Sequence, residues 1–184
     1  MNYFENALKT MAKLIEIPSV EAPAKDNMPF GEDVCRALNF TLDVAKDMGF
    51  TVKNYDNYVG EVIFGDENAK KEDCLAVLAH LDVVPEGSGW TVPAFALTEK
   101  DGRLYGRGVA DDKGPAVLAL YAMTQLLDEG FTPKKTVKLI LGCNEESGWR
   151  CIDHYNKVAE MPDQGFSPDA EFPVIYAEKG IYHA

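Results

Sequence analysis

At 184 residues and 46% hydrophobic content, the chain is long enough for one substantial domain with a real core and too short for two ordinary ones. Its net charge of −12, from 18 Lys+Arg against 30 Asp+Glu, disfavours nucleic acid and anionic membrane surfaces as partners. The longest apolar stretches, such as residues 115–127, are too short and interrupted to span a bilayer, and the start MNYFENALKTMAKL lacks the layout of a secretion signal.

In chain order, residues 2–16 carry Phe4, Leu8, Met11, Leu14 and Ile15 at helical spacing, and Pro18 closes that segment. A loop with Pro23, Pro29 and Gly31 leads to a second amphipathic helix over 32–48, stopped by Gly49. Two short strands are predicted at 50–55 and 59–65, separated by the polar pair Asp56-Asn57. The near-continuous apolar run CLAVLAHLDVV, residues 74–84, reads as a strand buried on both faces. Residues 95–106 predict a hairpin turning at Asp101-Gly102, and 115–129 a helix opened by Pro115 and closed by Gly130. A second buried strand is expected at 136–142, a helix at 147–158 and a last strand at 174–176. Alternation of strands and helices predicts an α/β fold with a mostly parallel sheet flanked by helices on both faces.

Four clusters fall at or beside the expected strand ends: His80-Leu81-Asp82, Asp111-Asp112, Glu145-Glu146 and Asp169. A carboxylate ending a buried strand is costly to desolvate unless paired or bound to a cation, and ligands of open α/β sheets gather at the carboxyl ends of strands. Divalent metal therefore accounts economically for all four. Each cluster also has a structural explanation. His80 alone reads as an ordinary buried histidine. One of the two aspartates suits the N-cap of the following helix, and the glutamates suit an acidic first helical turn after Asn144. Against these, both aspartates and Lys113 packed together exceed what a cap requires. Adjacent glutamates at a strand end divide labour, one binding metal while the other takes a proton from water.

The cysteines Cys35, Cys74, Cys143 and Cys151 form no C-x-x-C pair and read as reduced, mostly buried thiols of a cytoplasmic protein. Cys143, two residues before Glu145, is a further conceivable ligand.

The set HLDVVPEG, GRGVADDKGP, NEESGW and SPDAEFPVIYAEKG resembles the di-zinc exopeptidase family that includes aminoacylase, acetylornithine deacetylase, succinyl-diaminopimelate desuccinylase, glutamate carboxypeptidase and carnosinase. Its wording looks most like the bacterial PepV-type dipeptidases, over essentially the whole chain. The resemblance implies a metallopeptidase that hydrolyses dipeptides or small acylated amino acids through two Zn2+ ions, with Co2+ or Mn2+ as substitutes. By that resemblance His80 binds one metal, oriented by Asp82; Asp111 bridges both; Glu146 binds the second; and Asp169 completes the His80 metal. Glu145 becomes the general base.

Members of that family are longer. Residues 1–184 would be the N-terminal portion of the catalytic domain, ahead of a lid domain and a late histidine that supplies the last zinc ligand. His154 and His183 are weak substitutes, the first a packing or surface residue and the second nearly terminal. The expected partners are then the substrate, a C-terminal half, or a second copy joined through an exposed sheet edge. A catalytically silent binding or assembly module, or a deacylase or carboxypeptidase of the same family, are the alternatives.

Overall fold

The structure is a computed structural model and describes residues 2–177 and 180. Helix α1 (Tyr3–Ile15) is capped by the Asn2 side chain, which accepts the Glu5 N–H at 3.3 Å, and it buries Ala7, Met11, Leu14 and Ile15 as one stripe. Helix α2 (Glu32–Asp47) follows Gly31. Strands β1 (Thr51–Tyr55) and β2 (Val59–Phe64) form a hairpin that reverses through Asp56 and Asn57 at φ 54° and 60°, a conformation short polar side chains tolerate. Then come β3 (Cys74–His80), the small hairpin β4 (Thr98–Lys100) and β5 (Arg103–Tyr105), α3 (Lys113–Asp128), β6 (Thr136–Gly142), α4 (Arg150–Val158) and β7 (Gly165–Phe166).

The main sheet has the order β1-β2-β6-β3-β7. The β6-β3 and β3-β7 ladders are parallel, while β2 runs antiparallel to both of its neighbours, so four of the five strands point one way. Both faces are covered. A Cβ at Gly60 would lie within 3 Å of Leu38 and Leu42 on α2, whereas the next residue, Glu61, meets Tyr155 on α4 across the sheet. Successive strand residues point to opposite faces, so α2 and α4 flank opposite sides. The core lies mainly between the sheet and α1, α2 and α3, with Leu14, Leu38, Leu120 and Leu141 fully buried.

Three expectations change. Helix α3 begins at Lys113, two residues ahead of Pro115. Helix α4 begins at Arg150 rather than at 147, because Gly148 (φ 130°) and Trp149 (φ 62°) are not helical. Residues 174–176 are not a strand: Val174 and Tyr176 are 75% and 97% exposed, and nothing among the described residues pairs with them. Strand propensity mostly reflects packing against neighbours, and this run has none in the described chain. The two-residue β7, beside β3, was not anticipated. No helix is long and apolar enough to cross a membrane.

Candidate metal centre

Parallel β6, β3 and β7 lie side by side, so their carboxyl ends open onto one cleft. His80 is the last residue of β3; Glu145 and Glu146 lie just past β6; Asp169 lies just past β7. Asp111 and Asp112 reach the same place from the loop before α3. The backbone carbonyl of Asp82 accepts from His80 Nδ1 at 3.0 Å. A carbonyl only accepts, so Nδ1 carries a proton and Nε2 faces the acids. Nε2 lies 2.9 Å from Asp111 Oδ1, 3.5 Å from Asp169 Oδ2 and 4.0 Å from Glu145 Oε2. Burial pulls the His80 pKa down, but the hydrogen bond and charge of Asp82, with the charge of Asp112, outweigh it and raise it to about 10.

The buried carboxylate of Asp82 lies 3.5 Å from His80 Nδ1 and accepts the backbone N–H groups of Glu145 (3.0 Å) and Glu146 (3.1 Å). It ties the imidazole and the glutamate loop to one point, a wider role than orienting His80.

Asp111 and Asp112 are joined by a cis peptide bond. Asp112 stands at the N-cap of α3 yet makes no capping hydrogen bond. Its Oδ2 accepts the His80 backbone N–H at 3.1 Å, and its Oδ1 is buried without a partner. Burial pushes its pKa up to about 7. Capping therefore fails as an explanation of the pair. The acidic first turn fails for the glutamates too, since α4 starts four residues beyond Glu146. Lys113 does not pack against the aspartates. Its buried Nζ donates to the carbonyls of Leu14 (3.1 Å) and Ile17 (2.6 Å), anchoring the loop to the end of α1, and burial draws its pKa down to about 7. Gly114 closes the same loop: a Cβ there would sit 2.0 Å from the Val109 carbonyl oxygen.

On the outer side, burial raises the pKa of Glu145, Glu146 and Asp169, and neighbouring acids add to the effect. Two trios bring ligand atoms within 4.8 Å of one another: His80, Asp111 and Glu146; and His80, Asp112 and Asp169. Six carboxylates (Asp82, Asp111, Asp112, Glu145, Glu146 and Asp169) thus gather around one imidazole. Hard oxygen donors, an imidazole nitrogen and an orphaned buried carboxylate oxygen together fit divalent cations. The sequence singled out the Asp111-Asp112 pair but gave Asp112 no ligand role of its own, because only the fold shows where its second oxygen goes. Cys143 is buried in the core, and His154 pairs with Asp56 at 2.9 Å while stacking on Tyr58. His183 lies outside the described residues.

The fold and cleft define an α/β protein with a candidate divalent-metal centre at the carboxyl ends of parallel strands. The chain belongs to peptidase family M20/M25/M40, whose profile matches residues 76–183. It is 43% identical over 182 residues to the putative dipeptidase YtjP of Bacillus subtilis, covering 98% of this chain and 38% of that protein. It is 44% identical over 178 residues to the Beta-Ala-Xaa dipeptidase of Lactobacillus delbrueckii subsp. lactis, covering 95% and 37%. The M20 family metallo-carboxypeptidase Sso-CP2 of Sulfolobus solfataricus superposes with a TM-score of 0.69 at 26% identity, over 88% of this chain and 37% of that one. The chain therefore spans a little over a third of the length of these relatives.

Proposed function

We propose that the chain forms the N-terminal, metal-holding portion of a dipeptidase catalytic domain, acting on dipeptides such as the β-Ala-Xaa type named for the Lactobacillus relative. The observation that carries this reading is the convergence of His80, Asp111, Asp112, Glu146 and Asp169 at the ends of adjacent parallel strands. His80 Nε2, Asp111 and Asp169 would hold one cation and Glu146 a second, with Asp111 between them; Zn2+ suits the donors, and Co2+ or Mn2+ are substitutes. Such cations, when bound, polarise a scissile carbonyl and make an attacking water more acidic.

The remaining chemistry belongs to the protein. Asp82 keeps His80 in the Nδ1–H tautomer and leaves Nε2 as the donor atom. Glu145, held by its backbone N–H to Asp82, takes the proton from the attacking water as the C–O bond forms. It then delivers that proton to the amine nitrogen as the C–N bond breaks. Its raised pKa suits a carboxylate that must accept and then release a proton.

Calorimetric titration of the purified chain with ZnCl2 tests the reading. Stoichiometric uptake, lost or weakened in Asp111→Asn, is expected; no uptake, or uptake indifferent to that change, would overturn it. The exposed apolar residues Phe172, Val174, Ile175 and Tyr176 favour a second reading, an assembly module without chemistry of its own. Dipeptide hydrolysis measured with and without the C-terminal portion of a full-length relative separates the two. Activity under either condition supports the enzyme, and silence under both supports the module.

A further inference from the structure

The segment carrying Glu145 and Glu146 lies between the end of β6 and the start of α4, outside regular structure. Asp82 grips its backbone at the two glutamates, but that contact leaves the exit of the loop free. The exit is closed by three residues that each touch the other two. Asn144 is fully buried; its Oδ1 accepts from Arg150 N (3.2 Å) and Arg150 Nε (3.1 Å), and its Nδ2 donates to Glu21 Oε2 (3.2 Å). Arg150 Nη2 pairs with the other oxygen of Glu21, and the guanidinium lies 5.1 Å from the centre of the buried Phe30 ring. The Asn144 carbonyl also accepts the Trp149 N–H at 2.8 Å, which holds Trp149 at φ 62°. A bulky residue adopts that conformation only when its surroundings impose it.

We propose that Glu21, Asn144 and Arg150 form a positioning clamp that sets where the Glu146 carboxylate stands relative to His80 and Asp111. The proposal rests on the metal-centre reading above. Glu21 comes from the segment after α1, so the clamp fastens the glutamate loop to a distant part of the chain. Buried Asn144 has both ends of its amide occupied and therefore one orientation. Arg150 commits two nitrogens of its planar fork, Nε to Asn144 and Nη2 to Glu21, which a lysine cannot reproduce. The Glu21–Arg150 pair is partly exposed, with side chains 29% and 53% accessible, and pairs of that kind add little to global stability. Its consequence is local: the Glu146 side of the metal centre depends on the clamp, whereas His80 and Asp169 sit on elements the clamp does not touch.

Zinc titration by calorimetry, with thermal unfolding of each metal-free variant alongside, tests the clamp. Glu21→Gln, which keeps shape and removes charge, is expected to weaken about tenfold the binding step that Glu146→Gln abolishes. The step abolished by Asp169→Asn is expected to persist, with Tm nearly unchanged. Arg150→Lys is expected to reproduce the Glu21→Gln result, and the double variant to lose no more than either single change. Wild-type zinc binding that neither variant alters, or loss of both steps together with a large fall in Tm, overturns the clamp and leaves the metal centre standing. A wild-type chain that takes up no zinc removes the metal centre and the clamp with it.

Discussion

The two walls of the acidic cleft are built differently. On the inner wall, the side chains of His80 and Asp82 are 4% and 1% exposed, Asp112 is buried, and all three are fixed by β3, the start of α3 and mutual hydrogen bonds. On the outer wall, Asp111 is 60% exposed and Glu145 and Asp169 are near 28% and 29%, all on loops. The inner wall is part of the folding unit, because its polar groups satisfy backbone N–H groups that would otherwise be buried unpaired. The outer wall gathers like charges that the fold does not neutralise, so under the proposed function its final geometry would be set by the cations it holds together with the Asp82 contacts and the proposed Glu21 tether. A rigid donor set facing an adjustable one lets the site be held ready without a large stability cost for every carboxylate.

That contrast can be broken most severely at Gly114. An alanine Cβ would strike the Val109 carbonyl oxygen, so Gly114→Ala is expected to destabilise the protein by about 3 kcal/mol and displace Asp111 and Asp112. Urea unfolding measures the first effect and zinc titration the second. Next comes Asp82→Ala, which leaves the Glu145 and Glu146 amides without their acceptor and is expected to cost about 2 kcal/mol by the same assay. On the outer wall, Glu145→Gln and Asp169→Asn should change unfolding stability by no more than about 0.5 kcal/mol. Their effects belong elsewhere: Asp169→Asn removes a zinc step, and Glu145→Gln in a full-length relative lowers hydrolysis by about a hundredfold or more while zinc uptake persists. An outer-wall change as costly to stability as Asp82→Ala would erase the distinction.

The smallest effect at neutral pH lies beneath the site, on the α4 face of the sheet, where Glu61 meets Lys138 at 3.3 Å and the hydroxyls of Tyr155 and Tyr55. Burial, then the hydrogen bond and charge of Glu61, hold the Tyr155 hydroxyl far above its ordinary pKa of 10.0. The folded state therefore keeps that proton after the unfolded chain has lost it. Stability from this group is complete below pH 10 and declines as pH rises further. A fall in Tm above that pH, shallower in Tyr155→Phe, is the expected result; an identical fall in the variant would assign the decline to other groups.

Much of the frame was legible in the chain. The runs CLAVLAHLDVV and TVKLILG announced buried strands because strands covered on both faces have no polar side to alternate. The second is β6 residue for residue, whereas β3 takes only the first seven residues of the first run and ends at His80. The clusters at His80 and Glu145 were visible because they end or follow those runs, whereas Asp111 stood out in a glycine-rich turn ahead of a helix and Asp169 in the motif SPDAEFP. Less legible were the start of α4, decided by the backbone of Gly148 and Trp149, and the fate of 174–176, whose apolar residues have no strand beside them in the described chain.

Local patterning thus determined most of the order of elements and the α/β class and marked the acidic and imidazole clusters as candidate metal donors, since these depend on periodicity and donor chemistry within short windows. The separate roles of those donors came from the family resemblance. Tertiary structure alone decided that Asp112 binds the His80 amide rather than capping its helix, that Lys113 points inward to α1, and that Glu21 meets Arg150. Those pairings join parts of the chain far apart in sequence, and only packing of the whole sheet and its helices brings them within hydrogen-bond distance.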